Sequence, residues 1–125
     1  MKRKDISALV IEDDLSVGPF LKRVLGILGI HKTDLAQNEE QAIGFIIDSK
    51  YQLVLSDTLF GTSDPYGPRI VRRLKELGQN PVVIALSGLD KNKEYWEDEK
   101  IDYFRDKSNL IVDIRKIVQE KFPEE

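Results

Sequence analysis

The sequence predicts an α/β fold: a doubly wound, five-stranded parallel sheet with helices on both faces, a three-layer sandwich. Three observations predict it. Short apolar runs alternate, five times over, with stretches whose apolar residues recur at helical spacing. The runs Ala8-Leu9-Val10-Ile11, Leu53-Val54-Leu55 and Val82-Val83-Ile84-Ala85-Leu86 are continuously apolar, as strands buried on both faces must be. The chain has 125 residues, enough for one domain, which we take as 1–125, and for a core without staples.

The elements follow in order. Ile6 to Ile11 reads as the first strand. Val17, Phe20, Leu21, Val24 and Leu28 give a helix, with Ser16 as its cap, Pro19 in its first turn and Gly29 at its end. Lys32 to Ala36 is a weak second strand. Asn38 followed by Gln41 resembles a capping box, and Ala42, Ile43, Phe45, Ile46 and Ile47 supply the next apolar face. Leu53 to Ser56 is the third strand, and Thr58 to Pro68 a loop rich in Gly, Pro, Ser and Asp. A helix then runs from Pro68 to Leu77, closed by Gly78. Val82 to Leu86 is the fourth strand, Lys91 to Lys100 a charged fourth helix, and Asp102 to Arg105 a short fifth strand. Ser108 caps a last helix carrying Leu110, Ile114, Ile117 and Val118. With right-handed crossovers, the simplest arrangement is (βα)5 in the flavodoxin-like order 2-1-3-4-5.

Composition narrows the function. Apolar residues make up 41% and charged residues 33%, with a net charge of −3, so no broad cationic footprint for nucleic acid exists. The chain has no cysteine, which excludes disulfides and thiolate metal sites. The start Met1-Lys2-Arg3-Lys4-Asp5 does not lead into a signal peptide, and Val24 to Ile30 is too short to cross a bilayer. These readings place the protein in the cytoplasm, away from membranes.

Chemistry gathers at one sheet edge. The first strand ends on Glu12-Asp13-Asp14, the third on Asp57, the fourth on Ser87, and Lys107 lies just past the fifth. In open α/β sheets, ligands bind outside the carboxyl ends of the strands. Neighbouring strands lie about 4.8 Å apart, so carboxylates from the first and third can share one ion. Clustered carboxylates repel, and a hard cation such as Mg²⁺ relieves that. A carboxylate held there can attack phosphorus to give an aspartyl phosphate, whose charged oxygens an ammonium and a hydroxyl can then meet.

The blocks Leu9-Val10-Ile11-Glu12-Asp13-Asp14, Val54-Leu55-Ser56-Asp57, Val83-Ile84-Ala85-Leu86-Ser87-Gly88 and Asp102-Tyr103-Phe104-Arg105-Asp106-Lys107 resemble the receiver domain of two-component response regulators, the CheY-like superfamily. The resemblance covers nearly the whole chain. It implies that Asp57 accepts a phosphoryl group from a histidine kinase or phosphotransfer protein. It implies that Asp13 binds Mg²⁺ directly and Glu12 through water, with Asp57 and the carbonyl of Leu59 as further ligands. Lys107 would contact the phosphoryl group, Ser87 would be the switch hydroxyl and Phe104 the switch aromatic. A downstream protein, or a second copy, would dock on the fourth helix, fifth strand and last helix, where Tyr95 and Trp96 lie. Leu59 and Leu89 would flank the acyl phosphate and slow its hydrolysis. Such a domain is an acceptor rather than an enzyme in the turnover sense, either standing alone or cut from a larger regulator.

The chain departs from the family pattern. The loop after Asp57 is about two residues longer than usual, Gly61 stands where proline is common, Ser108 replaces a proline, and Arg105 fills a usually apolar slot. Two rival readings follow. One is a degenerate receiver that binds partners without phosphorylation. The other is an aspartyl-phosphate phosphatase, since Ser56-Asp57-Thr58-Leu59-Phe60 faintly resembles the haloacid-dehalogenase nucleophile motif, although Leu59 stands where those enzymes carry a second aspartate. His31, the sole histidine, is read as solvated.

Overall fold

The computed structural model describes residues 1–59 and 64–124. Five strands form one parallel sheet: β1 (Ser7–Ile11), β2 (Lys32–Ala36), β3 (Leu53–Asp57), β4 (Val82–Ser87) and β5 (Tyr103–Asp106). Their order is β2-β1-β3-β4-β5, as the sequence predicts. Four α-helices cover it: α1 (Val17–Ile27), α2 (Glu39–Asp48), α3 (Tyr66–Glu76) and α4 (Leu110–Lys121). No helix among the described residues is long and apolar enough to cross a membrane.

Alternation along the strands builds two cores. Ala8 and Val10 of β1, Leu53 and Leu55 of β3, and Ile84 and Leu86 of β4 pack with Leu21 and Leu25 of α1 and Ile114 and Val118 of α4. Leu9, Ile11, Val54, Val83 and Ala85 face the other way, onto Ile46 of α2, Ile70 and Leu74 of α3, and Trp96. Successive strand side chains point to opposite faces, so a continuous apolar run feeds both layers.

The helix ends show which local signals act. Asn38 caps α2 by accepting from the amide of Gln41 at 2.8 Å, as the sequence predicts, but Gln41 Oε1 accepts at 2.8 Å from the amide of Gln37, one residue before the cap, so the box is not closed on Asn38 itself. Gly29 and Gly78, with φ of +93° and +85°, close α1 and α3 in a backbone conformation that side chains disfavour. Pro19 falls in the first turn of α1.

Several expectations need correction. Ser16 sits at the start of α1, but its side chain does not cap it. Asp14 Oδ1 does, accepting from Ser16 N at 2.8 Å and Val17 N at 3.1 Å. Ser108 likewise does not cap the last helix. Asp106 Oδ1 accepts from Ser108 N at 2.7 Å, and a 3₁₀ turn over Lys107–Asn109 leads into α4. Helix α3 begins two residues before Pro68, which fits in its first turn without losing a needed N–H. Strand β5 ends at Asp106, one residue later than expected.

The largest difference is the fourth helix. Asp90–Trp96 is a 3₁₀ helix, and residues 97–100 are turn and coil. Only Asn92 and Trp96 of the 3₁₀ segment are buried, so no apolar stripe is wide enough to hold a longer α-helix on the sheet. Lys91, Lys93, Glu94, Glu97 and Asp98 are exposed, as a solvated charged face should be, but Glu99 is not: its side chain is largely buried and pairs with Arg72 of α3. Trp96 turns inward and Tyr95 stays 40% exposed.

Candidate functional site

Register sets the site. Ile11 of β1 pairs with Ser56 of β3, so Glu12 and Asp57 emerge side by side. Asp57 pairs with Leu86 of β4, and Ser87 pairs with Asp106 of β5, which brings Ser87 and Lys107 to the same edge. One carboxylate oxygen from each of Glu12, Asp13 and Asp57 lies within 4.8 Å of the others. Lys107 reaches in, with its Nζ 2.6 Å from Glu12 Oε1 and 3.1 Å from Asp57 Oδ1. The amide of Thr58 donates to Asp57 Oδ1 at 2.8 Å, and that of Asp14 to Glu12 Oε2 at 3.2 Å.

The electrostatics are tense. The Glu12 side chain is 1% exposed and that of Asp57 10%. Burial pushes the Glu12 carboxyl up to about 7; the Lys107 ammonium opposes this and the Asp57 charge adds to it. Burial works against the Lys107 ammonium, yet the bond to Glu12 and the Asp57 charge hold its pKa above the usual lysine value. Three carboxylates converge there, and their mutual repulsion favours a bound cation. The donors are hard oxygens, without nitrogen or sulfur, which fits Mg²⁺ or Ca²⁺ rather than a softer metal. Leu59, half-buried, lies two residues beyond Asp57, and its carbonyl is the further candidate ligand.

Helix α3 closes the site from below. Gly67 N donates to the carbonyl of Thr58 at 3.3 Å, and a Cβ on Gly67 would lie 2.0 Å from the carbonyl oxygen of Asp57. Tyr66 is fully buried, and burial together with the charges of Asp57, Glu12 and Asp13 drives its phenol pKa up.

The structure thus brings Glu12, Asp13, Asp57 and Lys107 together. Ser87 shares their edge, but its hydroxyl is engaged elsewhere: it donates to Leu89 O at 2.8 Å and accepts from Leu89 N at 3.0 Å and Asn92 Nδ2 at 2.8 Å. Phe104 is half-buried on the face that carries Trp96. His31 is exposed, as expected. Gly61 and the extra loop length fall within residues 60–63, outside the described residues.

Sequence reasoning missed Thr58, Asn92, Tyr66 and Gly67. Thr58 is fully buried; its Oγ1 donates to Leu86 O at 2.9 Å and accepts from Trp96 Nε1 at 3.0 Å. Gly67 was hidden because the sequence reading places it in the loop before Pro68, and only the structure puts it in the first turn of α3 against the Asp57 carbonyl. Asn92 had no signal, being one polar residue in a charged run.

No protein-family profile and no curated protein matches the chain. Solved structures do. The receiver domain of a Francisella response regulator is 25% identical, with 93% of this chain and 95% of that one covered and a TM-score of 0.77. A CheY-like receiver domain from Methylobacillus flagellatus is 24% identical, with 92% and 97% covered and a TM-score of 0.77. A response regulator from Thermotoga maritima, solved in complex with Mg²⁺ and BeF, is 20% identical, with 96% and 98% covered and a TM-score of 0.74. The chain has the fold of CheY-like response regulator receiver domains.

Proposed function

We propose that this chain is a phosphorylation-switched receiver whose acceptor is Asp57. The observation that carries the proposal is the convergence at one sheet edge of the Asp57, Glu12 and Asp13 carboxylates with the Lys107 ammonium. A donor phosphohistidine, on a histidine kinase or phosphotransfer protein, gives up its P–N bond as an Asp57 carboxylate oxygen forms the new P–O bond. The imidazole leaves as a neutral ring once its nitrogen takes a proton. Lys107, fixed between Glu12 and Asp57, meets the added negative oxygens. Thr58 N keeps the carboxylate oriented. Glu12, Asp13, Asp57 and the Leu59 carbonyl would hold Mg²⁺, Glu12 through water. When bound, Mg²⁺ supplies positive charge against the carboxylates and the transferred group.

The phosphoryl group then draws on Ser87, with Phe104 following, and the surface of residues 90–96, β5 and α4 changes its affinity for a downstream protein or a second copy. Leu59 and Leu89 limit water at the acyl phosphate, so the modified state should last, and replacing both by polar residues should speed its decay. The domain acts as an acceptor in the cytoplasm rather than as a turnover enzyme.

Intact mass after incubation with acetyl phosphate tests this. We expect one Mg²⁺-dependent phosphoryl adduct, absent in Asp57→Asn. No adduct from acetyl phosphate or from a phosphorylated phosphotransfer domain, together with no Mg²⁺ binding, would leave a phosphorylation-independent binding module instead. Steady release of phosphate from small esters would support the phosphatase.

A further inference from the structure

Ser87 has no hydrogen-bonding capacity left. A hydroxyl offers one proton and two lone pairs. Leu89 O takes the proton, at 2.8 Å, and Leu89 N and Asn92 Nδ2 fill the lone pairs, at 3.0 and 2.8 Å. Two of these contacts lie in the turn that follows β4. The third is long-range in function, because Asn92 belongs to the 3₁₀ segment Asp90–Trp96. Asn92 is 6% exposed, although it sits among exposed charged residues. A buried amide N–H costs free energy unless it is matched, and the partner of Asn92 Nδ2 is the Ser87 hydroxyl.

The segment is fastened at three places. Asn92 ties its start to Ser87. Trp96, 2% exposed, ties its end to Thr58 Oγ1 at 3.0 Å, next to the acceptor. Beyond it, Glu99 pairs with Arg72 and the carbonyl of Lys100 accepts from Lys75, both residues of α3. The end is therefore anchored to the body by several contacts, and the start by the Asn92 carboxamide and the turn at Leu89.

We propose that Asn92 is a latch: a positioning residue that holds Ser87 out of reach of the acceptor and thereby keeps the 90–96 segment seated. This rests on the reading of Asp57 as the phosphoryl acceptor. To meet a phosphoryl oxygen, Ser87 must turn its proton from Leu89 O toward that oxygen, and the lone pairs turn with it. The bond from Asn92 breaks in that rotation. The free carboxamide, left buried without its partner, favours displacement of the segment start about the anchored end. No covalent change occurs at Ser87 or Asn92; the hydroxyl exchanges its bond to Leu89 O for one to the phosphoryl oxygen, and the bond from Asn92 is lost without replacement.

The test uses beryllium fluoride with Mg²⁺ as a phosphoryl mimic. The chain contains a single tryptophan, and Trp96 lies in the segment itself, so its fluorescence reports the response. In wild type we expect the mimic to change Trp96 emission and to raise amide hydrogen exchange at residues 89–94. Asn92→Ala should bind the mimic more tightly, by about fivefold, since one hydrogen bond no longer has to be broken. Its 89–94 amides should exchange faster before any mimic is added. Mg²⁺ affinity alone should stay unchanged, because Ser87 is not a ligand. In a Ser87→Ala background the further change Asn92→Ala should have no effect on mimic affinity.

Unchanged or weaker mimic binding in Asn92→Ala overturns the latch while leaving the acceptor reading intact. So does a gain that persists in the Ser87→Ala background. Failure of wild-type protein to bind the mimic, with Mg²⁺ present, overturns the acceptor reading and the latch with it. Asn92→Leu, which keeps the branched shape and removes the amide, serves if Asn92→Ala melts early, and the same outcomes apply.

Discussion

Gly67 has no room for a side chain. Its Cβ would fall 2.0 Å from the Asp57 carbonyl oxygen, which belongs to the central strand and cannot retreat. Gly67→Ala must therefore push α3 or the acceptor aside, and overpacking of this kind costs about 1–3 kcal/mol. Urea unfolding should show that loss, and the displaced Asp57 should accept phosphoryl groups more slowly than the stability change alone explains. Thr33 gives the opposite case. Its hydroxyl is buried without a hydrogen-bond partner, so Thr33→Val should stabilise the fold by about 1 kcal/mol; an unchanged or lower melting temperature would contradict this. At this scale, legibility followed position. Glu12, Asp13 and Asp57 could be read because each ends or follows a strand whose apolar run announces it, and Lys107 because the block Asp102 to Lys107 resembles the receiver pattern. Thr58 and Asn92 could not, since their importance comes from partners 38 and 5 residues away, Trp96 and Ser87, that spacing does not reveal.

Among elements, the strands and the helices with wide apolar faces were readable from periodicity. The segment between β4 and β5 was not. Its charges sit at spacings that a helix would accept, but within Asp90–Trp96 only Asn92 and Trp96 are buried, and packing decides whether a helix forms. The short 3₁₀ turn at the start (Arg3–Asp5) was also opaque. Arg3 reads as surface charge, yet its side chain is 8% exposed and clasps both ends of the fold. Its guanidinium donates to Phe122 O at 2.8 Å, Leu28 O at 2.9 Å, Gln119 Oε1 at 2.8 Å and Glu124 Oε1 at 2.7 Å. A lysine offers one compact point charge and cannot span that set. Arg3→Lys should cost about 1.5–3 kcal/mol by urea unfolding. By contrast Arg69, with its side chain 48% exposed beside Glu39 and Asp64, should lose less than about 1 kcal/mol on change to alanine. Equal losses would show that Arg3 is not a clasp.

For the whole molecule, the buried charge at the edge links stability to pH. The folded protein holds the Glu12 proton up to about 7, against an ordinary value of 4.5. Between those values the native state binds more protons than the unfolded chain, so stability falls as pH rises. The contribution is complete below 4.5 and lost as pH passes through about 7. Thermal unfolding in chelator should therefore show a falling melting temperature from about pH 5 to about pH 8. Added Mg²⁺ should restore more at the upper end, where the Glu12 proton no longer competes with the cation. A flat profile in Glu12→Gln would assign the effect to this residue.

The sheet order has one more consequence. Ala8 pairs with Leu53, and Leu53 with Val82, so neighbouring strands are joined across long loops instead of tight hairpins. Lys107 meets Glu12 across 95 residues of chain. Such contacts form late, because the loops must close first. A nascent or partly unfolded copy therefore has acids but no pocket, and would be deaf to a phosphodonor. On the reading of Asp57 as the phosphoryl acceptor, folding would be the first checkpoint on its modification, ahead of any donor.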